Sequence, residues 1–264
     1  MLTITSLTIA RTYELFEYKE IGFKLDSFPG YTDDQWGIKA HNRPWIESFA
    51  NFHVGQRIIE LGGAYSLFPK YLNDKYGVEA WIGDDFGHSG GEAIWSRWGN
   101  FKELPEKYPS VKYVFQPFGI FSEEYPNNYF DVLFSISTLE HIPMNKRLDV
   151  FKDANRVTKE GGKQLHTIDI SIPSLKQCLL YGLGDKLSFL DNLSARFCSE
   201  IKGWVNLMCL SGINLATEIP NSIELLSREI LVESPDVVYR FYPPNNKPKA
   251  YHPTASLLVV IEDL

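Results

Sequence analysis

Residues 56–72 read QRIIELGGAYSLFPKYL, and this stretch decides the fold class. A short apolar run ends at Leu61 and breaks into two glycines, Gly62 and Gly63. Apolar side chains then recur at helical spacing from Leu67 to Leu72. A buried strand is typically such a run bounded by turn residues, whereas a helix shows a period near 3.6. The stretch therefore predicts a strand, a tight turn and a helix.

The same alternation continues along the chain on the carboxyl side of this unit. Further strands are predicted over 78–82, 111–115, 130–135 and 163–170, with an amphipathic helix over 146–157. Strands that alternate with helices form a parallel sheet covered on both faces. The expected fold class is α/β, a Rossmann-like, doubly wound, mostly parallel seven-stranded sheet, and its ligands should bind at the carboxyl ends of the strands.

The remaining segments are predicted to be additions to this core within a single domain of residues 1–264. Residues 1–53 lack a clean period and form an N-terminal preface, with a helix from Pro44 to Phe52. The core is 57–170. A helical insertion after the fifth strand spans 171–225, and its leucine-rich part is either a lid or a dimer helix. Closing strands are expected within 226–264, over 229–233 with 237–241 and over 255–261.

Composition narrows the class of partner. The 26 Lys and Arg residues against 33 Asp and Glu residues give a net charge of −7, the wrong sign for a protein that grips a nucleic-acid backbone. Aromatic residues make up 14% of the chain and are common in the walls of organic-ligand pockets. A small-molecule ligand is therefore expected, and no nucleic acid.

The cysteine count and the apolar runs predict the compartment. Three cysteines without a CxxC pair indicate neither a disulfide framework nor a thiolate zinc site, and six scattered histidines indicate no other metal site. The first residues lack the basic region and long apolar run of a signal peptide, and no stretch is long enough for a membrane span. A cytoplasmic protein is expected.

The turn after the first predicted strand fits neither common nucleotide motif. A dinucleotide fingerprint, GxGxxG, requires glycine at positions 62, 64 and 67, where the chain has Gly62, Ala64 and Leu67. A P-loop is excluded as well, because no GK[ST] follows. What the turn needs is small residues that let a ligand approach the backbone at the start of a helix.

Three segments together resemble class I S-adenosylmethionine-dependent methyltransferases, and in particular their LEHI-containing, type 11-like members. Residues 60–66, ELGGAYS, are similar to the family's [DE]xGxGxG motif. Residues 129–142, YFDVLFSISTLEHI, are similar to its FDxVxSxxxLEHI segment, and 156–162, RVTKEGG, to its RVLKPGG segment. The resemblance covers about residues 57–170 in the family's order. It implies an enzyme that transfers a methyl group from S-adenosylmethionine.

The resemblance also implies where the cofactor binds. Asp84 and Asp85 follow the second strand, where the family keeps a carboxylate for the two ribose hydroxyls, a diol that a carboxylate suits. The turn after the first strand and the end of the fourth strand are expected near the rest of the cofactor. In place of the family's adenine-contacting segment the chain has residues 116–120, QPFGI. The predicted cofactor residues are Glu60, Gly62, Gly63, Ala64, Asp84, Asp85, Phe118, Gly119, Ser135 and Ile136.

A general base is needed only if the methyl acceptor stays protonated at neutral pH, as a hydroxyl does. The candidates, in no firm order, are His141 in the LEHI segment, His88 in a glycine-rich loop and Asp169 at the end of the fifth strand. The most favoured function is O-methylation of a small molecule or sugar, with N-methylation next. Two alternatives stay open: a lipid-like or quinone-like acceptor, and an inactive cofactor-binding homologue that serves as a partner subunit.

Overall fold

A computed structural model describes residues 1–10, 39–87, 99–171, 186–232 and 254–264, which form a sheet flanked by helices. Within these ranges the sheet has eight strands in the order β4-β3-β2-β5-β6-β8-β1-β7. The strands are β1 Leu2–Ile9, β2 Arg57–Leu61, β3 Glu79–Gly83, β4 Val111–Val114, β5 Phe130–Ile136, β6 Thr158–Ser171, β7 Asn214–Leu215 and β8 Thr254–Asp263.

The five neighbouring strands β4, β3, β2, β5 and β6 are parallel, and their register brings their carboxyl ends to one edge of the sheet. Leu61 at the end of β2 pairs with Gly83 of β3 and with Ser135 of β5. Ile136 of β5 pairs with Thr167 of β6. β8 runs antiparallel to both β6 and β1, and β7 is parallel to β1. The turns that follow β2, β3 and β5 therefore meet at the same edge of the sheet.

Helices cover both faces because successive residues in the strands point to opposite sides. On one face, Ile58 of β2 and Phe134 of β5 are buried in a cluster with Trp45 and Phe68. On the other face, Ile59 and Leu133 are buried in a cluster with Phe151 and Trp204. The helices are α1 Lys39–Ala50, α2 Phe68–Tyr76, α3 Leu104–Lys107, α4 Met144–Val157, α5 Lys186–Leu210 and α6 Ile219–Val232.

The structure confirms the predicted doubly wound α/β class, with corrections at both ends of the chain. The sheet has eight described strands instead of seven, and one of them, β1, comes from the segment predicted to be a preface. Three buried apolar side chains of β1, Ile4, Leu7 and Ile9, secure it to the core. The predicted helix from Pro44 begins earlier, at Lys39, with Pro44 inside it.

The predicted strand over 229–233 is wrong, because residues 229–232 belong to α6. Ile219, Ile223 and Leu226 are buried at helical spacing, and α6 packs against α5 and β1. The apolar residues at 230–232 continue this helix instead of starting a strand. The strand predicted over 237–241 and parts of the predicted insertion lie outside the described residues. Within the ranges described, none of the helices combines the length and the apolar composition that a membrane crossing requires.

Candidate active site

The turn after β2 is shaped by Gly62, whose φ of +72° lies in the left-handed region. The Gly62 N–H donates to the carbonyl oxygen of Gly83 at 2.8 Å, which ties this turn to the end of β3. A Cβ at residue 62 would lie 2.0 Å from Cγ2 of Thr138, which follows β5. Glycine is therefore required both by the backbone conformation and by the approach of the β5 end.

Asp84 joins the turns that follow β2 and β3. Its Oδ2 accepts from the backbone N–H of Ala64 at 3.0 Å, and its Oδ1 accepts from the N–H of Phe86. Partial burial raises the pKa of Asp84 to about 6, although these backbone donors work in the opposite direction. The adjacent Asp85 accepts from the N–H of Gly87 at 2.9 Å. The structure thus brings Gly62, Ala64 and Asp84 together, with Asp85 beside them.

Glu60 contributes a buried carboxyl group beneath this turn. Its side chain lies against the Cα of Gly63, and the residue is 3% exposed. Burial raises the pKa of Glu60 to about 7, while the Arg43 guanidinium and a hydrogen bond from Ser66 lower it. Among the described residues, Oε2 of Glu60 has no hydrogen-bond partner. A buried oxygen of this kind fits a ligand group that carries a positive charge or donates hydrogen bonds.

Helix α1 supplies two site residues that the sequence analysis missed, Asn42 and Arg43. Both side chains are buried, and both lie on the face that carries Glu60 and Asp169. In the sequence, Asn42 and Arg43 directly precede Pro44, a residue typical of the first turn of a helix, so no local pattern indicates that the pair lies inside a helix. Because the helix starts at Lys39, these residues lie within it and reach the carboxyl edge of the sheet.

The last two residues of β5, Ser135 and Ile136, point to opposite faces of the sheet. Ser135 is completely buried, and its hydroxyl is 2.8 Å from Nδ1 of His166 on the α4 face. Ile136, half-buried, packs on the α1 face instead. The next residue, Ser137, has a φ of +47° and was also missed. Ser137 and Thr138 lie inside the YFDVLFSISTLEHI segment, so the signal was a polar pair directly after the strand.

Asp169 lies at the carboxyl end of β6, beside the end of β5. Its Oδ1 accepts from the Ser137 hydroxyl at 3.0 Å. The hydroxyl of Thr138, the residue after Ser137, lies 3.3 Å from the carbonyl oxygen of Gly62 and 3.1 Å from that of Ile136. Asp169 is therefore connected to the β2 turn through the two residues that follow β5. Of the three predicted bases, it is the one that the described contacts join to the turn.

The two predicted histidines differ from Asp169 in position. His141 ends a short 3-10 turn, Leu139–His141, and its side chain is 74% exposed, with Nε2 3.8 Å from Oε1 of Glu140. His88 lies outside the described residues. In the part of the chain that the structure describes, no group of three or more His, Cys, Asp and Glu side chains is arranged to hold a metal ion.

Phe118 and Gly119 follow β4 and contact different parts of the protein. The Phe118 ring stacks on Tyr125 at 4.4 Å, and both side chains lie within 3.0 Å of the position a Cβ would take at Gly83. The Gly119 N–H donates to Oδ2 of Asp153 at 2.8 Å, so its backbone is directed toward α4. Phe118 thus packs behind the end of β3, next to Asp84, whereas Gly119 anchors the loop to a helix.

Comparison with known proteins gives a family match over part of the chain. A model of the methyltransferase domain, of the type 11 kind, matches residues 102–165. This match agrees with the resemblance to class I S-adenosylmethionine-dependent methyltransferases over the segment that it covers. No curated protein sequence matches the chain.

Solved structures similar to this chain include two methyltransferases and a cyclopropane synthase. Phosphoethanolamine N-methyltransferase 2 of Haemonchus contortus is 17% identical with a TM-score of 0.48, over 84% of this chain and 52% of that one. The chain thus spans about half the length of the Haemonchus enzyme. Geranyl diphosphate C-methyltransferase of Streptomyces coelicolor is 8% identical (TM-score 0.47; 89% and 87% covered). Cyclopropane synthase MmaA2 of Mycobacterium tuberculosis is 10% identical (TM-score 0.46; 86% of both chains).

Proposed function

We propose that this chain is an S-adenosylmethionine-dependent methyltransferase that methylates a hydroxyl group of a small molecule or sugar. The family match over residues 102–165 supports the methyltransferase part of this proposal. The observation that supports a cofactor site most directly is the junction of the β2 and β3 turns at Asp84. This junction lies at the carboxyl edge of the sheet, where ligands of doubly wound proteins bind. It combines the turn at Gly62 with the two carboxyl groups of Asp84 and Asp85.

The residues present fit S-adenosylmethionine. Its ribose diol suits Asp84 and Asp85, because a carboxylate oxygen can accept a second hydrogen bond beside the backbone donor it already has. Its ammonium and sulfonium charges suit an acidic edge, and the unpartnered Oε2 of Glu60 is placed to accept from a donor above the Gly63 turn. The turn at Gly62, Gly63 and Ala64, with Ile136 opposite, would hold the rest of the molecule.

The bound cofactor supplies an activated methyl group on a sulfonium, so the protein has to align the acceptor and exclude water. A hydroxyl acceptor also has to lose its proton. Asp169 is the proposed general base, since its carboxylate lies at the same edge and is connected to the turn through Ser137 and Thr138. His141 is less well placed, because its side chain extends into solvent.

The cofactor site is tested by isothermal titration with S-adenosylmethionine and S-adenosylhomocysteine. Asp84→Ala should weaken binding more than tenfold, because it removes the acceptor for two turn N–H groups and for the ribose. Asp74→Ala is the matched control, since Asp74 is exposed on α2 and pairs with Lys70 of the same helix. Absence of heat with either ligand in the unmodified protein would overturn the proposal.

The acceptor class is tested by transfer of a labelled methyl group from S-adenosylmethionine into a low-molecular-mass extract of the source organism, followed by identification of the product. Label in the aqueous phase on an oxygen atom is expected; label in a lipid phase would favour a lipid-like acceptor instead. Asp169→Asn should lower the transfer rate by about 10²-fold or more, the usual contribution of a general base. His141→Gln should leave the rate within about threefold, and the reverse order would reject Asp169 as the base.

A further inference from the structure

Four polar side chains from α1, β6, β8 and the end of β5 form a continuous chain of hydrogen bonds that ends on Asp169. The Ser256 hydroxyl of β8 is 2.8 Å from Oδ1 of Asn42 on α1. Nδ2 of Asn42 is 3.3 Å from the hydroxyl oxygen of Ser137, and that hydroxyl is 3.0 Å from Oδ1 of Asp169. We call these four side chains, Ser256, Asn42, Ser137 and Asp169, the relay.

The direction of the relay follows from the chemistry of its end. An ionised carboxylate only accepts hydrogen bonds, so the Ser137 hydroxyl must donate its proton to Asp169. The oxygen of Ser137 then has only acceptor capacity for Asn42, which must present its NH₂ group there. The amide oxygen of Asn42 is left to accept from Ser256. Each hydrogen bond of the relay therefore has its donor on the side away from Asp169. Reversing the direction of one hydrogen bond would leave a neighbouring hydrogen bond without a donor.

Burial makes the orientation of Asn42 costly to change. Asn42 and Ser256 are both 0% exposed, so water cannot replace a lost partner. An unsatisfied buried polar group costs about 1–3 kcal/mol, and rotation of the amide would turn its oxygen toward Ser137, whose proton is already donated to Asp169. Ser137 is held from a second side, because its N–H donates to the carbonyl oxygen of Thr167 at 2.9 Å. The relay thus sets the position of the Ser137 hydroxyl that contacts Asp169.

We propose that Asn42 is a positioning residue for methyl transfer, which acts through Ser137 to hold the Asp169 carboxylate in one orientation toward the acceptor hydroxyl. This inference rests on the proposed function and adds α1 to the machinery that handles the acceptor. It also predicts that substitutions in the relay change the rate of transfer and leave the affinity for the cofactor unchanged, because no relay bond is made to the Gly62 turn or to Asp84.

An isosteric substitution separates hydrogen-bond direction from packing. Asn42→Asp keeps the shape of the side chain and, in its ionised form, cannot donate to Ser137, whereas Asn42→Ala removes both bonds. Both variants should lower the rate of labelled-methyl transfer into the extract by about tenfold or more, the scale expected when a reacting group is misplaced. Ser48→Ala, on an exposed position of the same helix, should transfer at the unmodified rate.

A structural role of Asn42 in holding α1 would have a different signature. Detachment of α1 would also withdraw the Arg43 charge from Glu60, and the affinity for S-adenosylmethionine would then fall. Calorimetry should instead give a dissociation constant within about twofold of the unmodified value for Asn42→Asp. If that variant does not fold, Ser137→Ala breaks the same link with the loss of a single oxygen, and the same pair of results is expected.

A double-mutant cycle decides whether Asn42 acts through Asp169. In the Asp169→Asn background, Asn42→Ala should cause less than about a twofold further loss, since the group it positions is already disabled. Losses that multiply independently would overturn the inference, as would an unimpaired Asn42→Asp variant. Failure of the unmodified protein to transfer any methyl group would instead reject the proposed function, so the two failures are distinguishable.

Discussion

Gly62 shows how one residue can join three elements. Its positive φ lets the chain turn at the end of β2, its N–H binds the end of β3, and its missing Cβ admits Thr138 from the end of β5. Any other residue would strain the turn and displace the Thr138 side chain. The small residues in the ELGGAYS motif are therefore explained in part by packing between strand ends, in addition to ligand approach.

Gly62→Ala is expected to lower the free energy of unfolding by roughly 2–4 kcal/mol, from backbone strain and the clash with Thr138. Gly55→Ala is a matched control, because Gly55 also has a positive φ, +85°, but nothing lies within 4 Å of its Cβ position. The control should cost about 1 kcal/mol. Urea unfolding of both variants measures the difference. Equal losses would show that the clash with Thr138 contributes nothing.

The raised pKa of Glu60 makes stability depend on pH. Between its ordinary value of 4.5 and about 7, the folded protein retains a proton that the unfolded chain has lost. The free energy of unfolding should therefore fall as the pH rises through this window, by up to about 3 kcal/mol from this group. Glu60→Gln should remove this dependence and be more stable than the unmodified protein at pH 8. Denaturant unfolding from pH 4.5 to 8, with the exposed Glu160→Gln as control, tests it.

At the scale of elements, the LEHI segment is explained by its attachment to α4 and α5. Leu139 is buried, and Arg147 of α4 donates to the carbonyl oxygens of Glu140 and Ile142, both at 2.8 Å. The Arg147 guanidinium also lies 4.5 Å from the ring centre of Trp204 in α5. These contacts hold the turn that follows β5, while His141 extends into solvent. The LEHI segment is thus anchored to both helices, with the Glu140 side chain largely buried and the His141 side chain exposed.

Arg147→Met is expected to destabilise the protein by about 1–3 kcal/mol, because two carbonyl bonds to a charged group and a cation–π contact are lost. Lys146→Met, the neighbouring basic residue, is exposed and should change stability by less than about 0.5 kcal/mol. Thermal or denaturant unfolding compares them. A similar small effect for both would contradict the anchoring role of Arg147.

Alternate residues of β6 place two polar networks on opposite faces of the sheet. His166 and Gln164 point toward α4, where Gln164 bonds to Asn155 at 3.0 Å, and burial lowers the pKa of His166 to about 3. Thr167 and Asp169 alternate with them and point toward α1. His166 is therefore a neutral, buried residue of the interior. Asp169 lies on the opposite face of the sheet, where it contacts Ser137. The alternation of a strand distinguishes the two.

At the scale of the whole molecule, ligand binding and folding are linked because the turns after β2, β3 and β5 belong to the same sheet edge. A ligand that binds only the folded protein stabilises it by about 2.7 kcal/mol at 100 times its dissociation constant. S-adenosylhomocysteine should therefore raise the unfolding temperature with the logarithm of its concentration, and Asp84→Ala should abolish most of the shift. An unshifted melting curve at saturation would contradict a site at this edge.

Much of the core could be predicted from local patterns. The strands at 57–61, 79–83, 111–114 and 130–136 and the helix at 144–157 lie within a few residues of their predicted positions, because period and turn residues are encoded locally. The strand β1 and helix α6 could not be predicted in this way. Short apolar runs fit a strand or a buried helix equally well, and the choice depends on which neighbours they meet.

The sequence by itself determined the α/β class, the glycine turn and the order of the core elements, since each depends on residues close together in the chain. Only the tertiary structure decided which face of the sheet each polar side chain occupies and which distant residues meet. Asn42 contacts Ser137 across 95 residues and Ser256 across 214. Such contacts have no local period, because they arise when β8 inserts between β6 and β1 and α1 packs over the sheet.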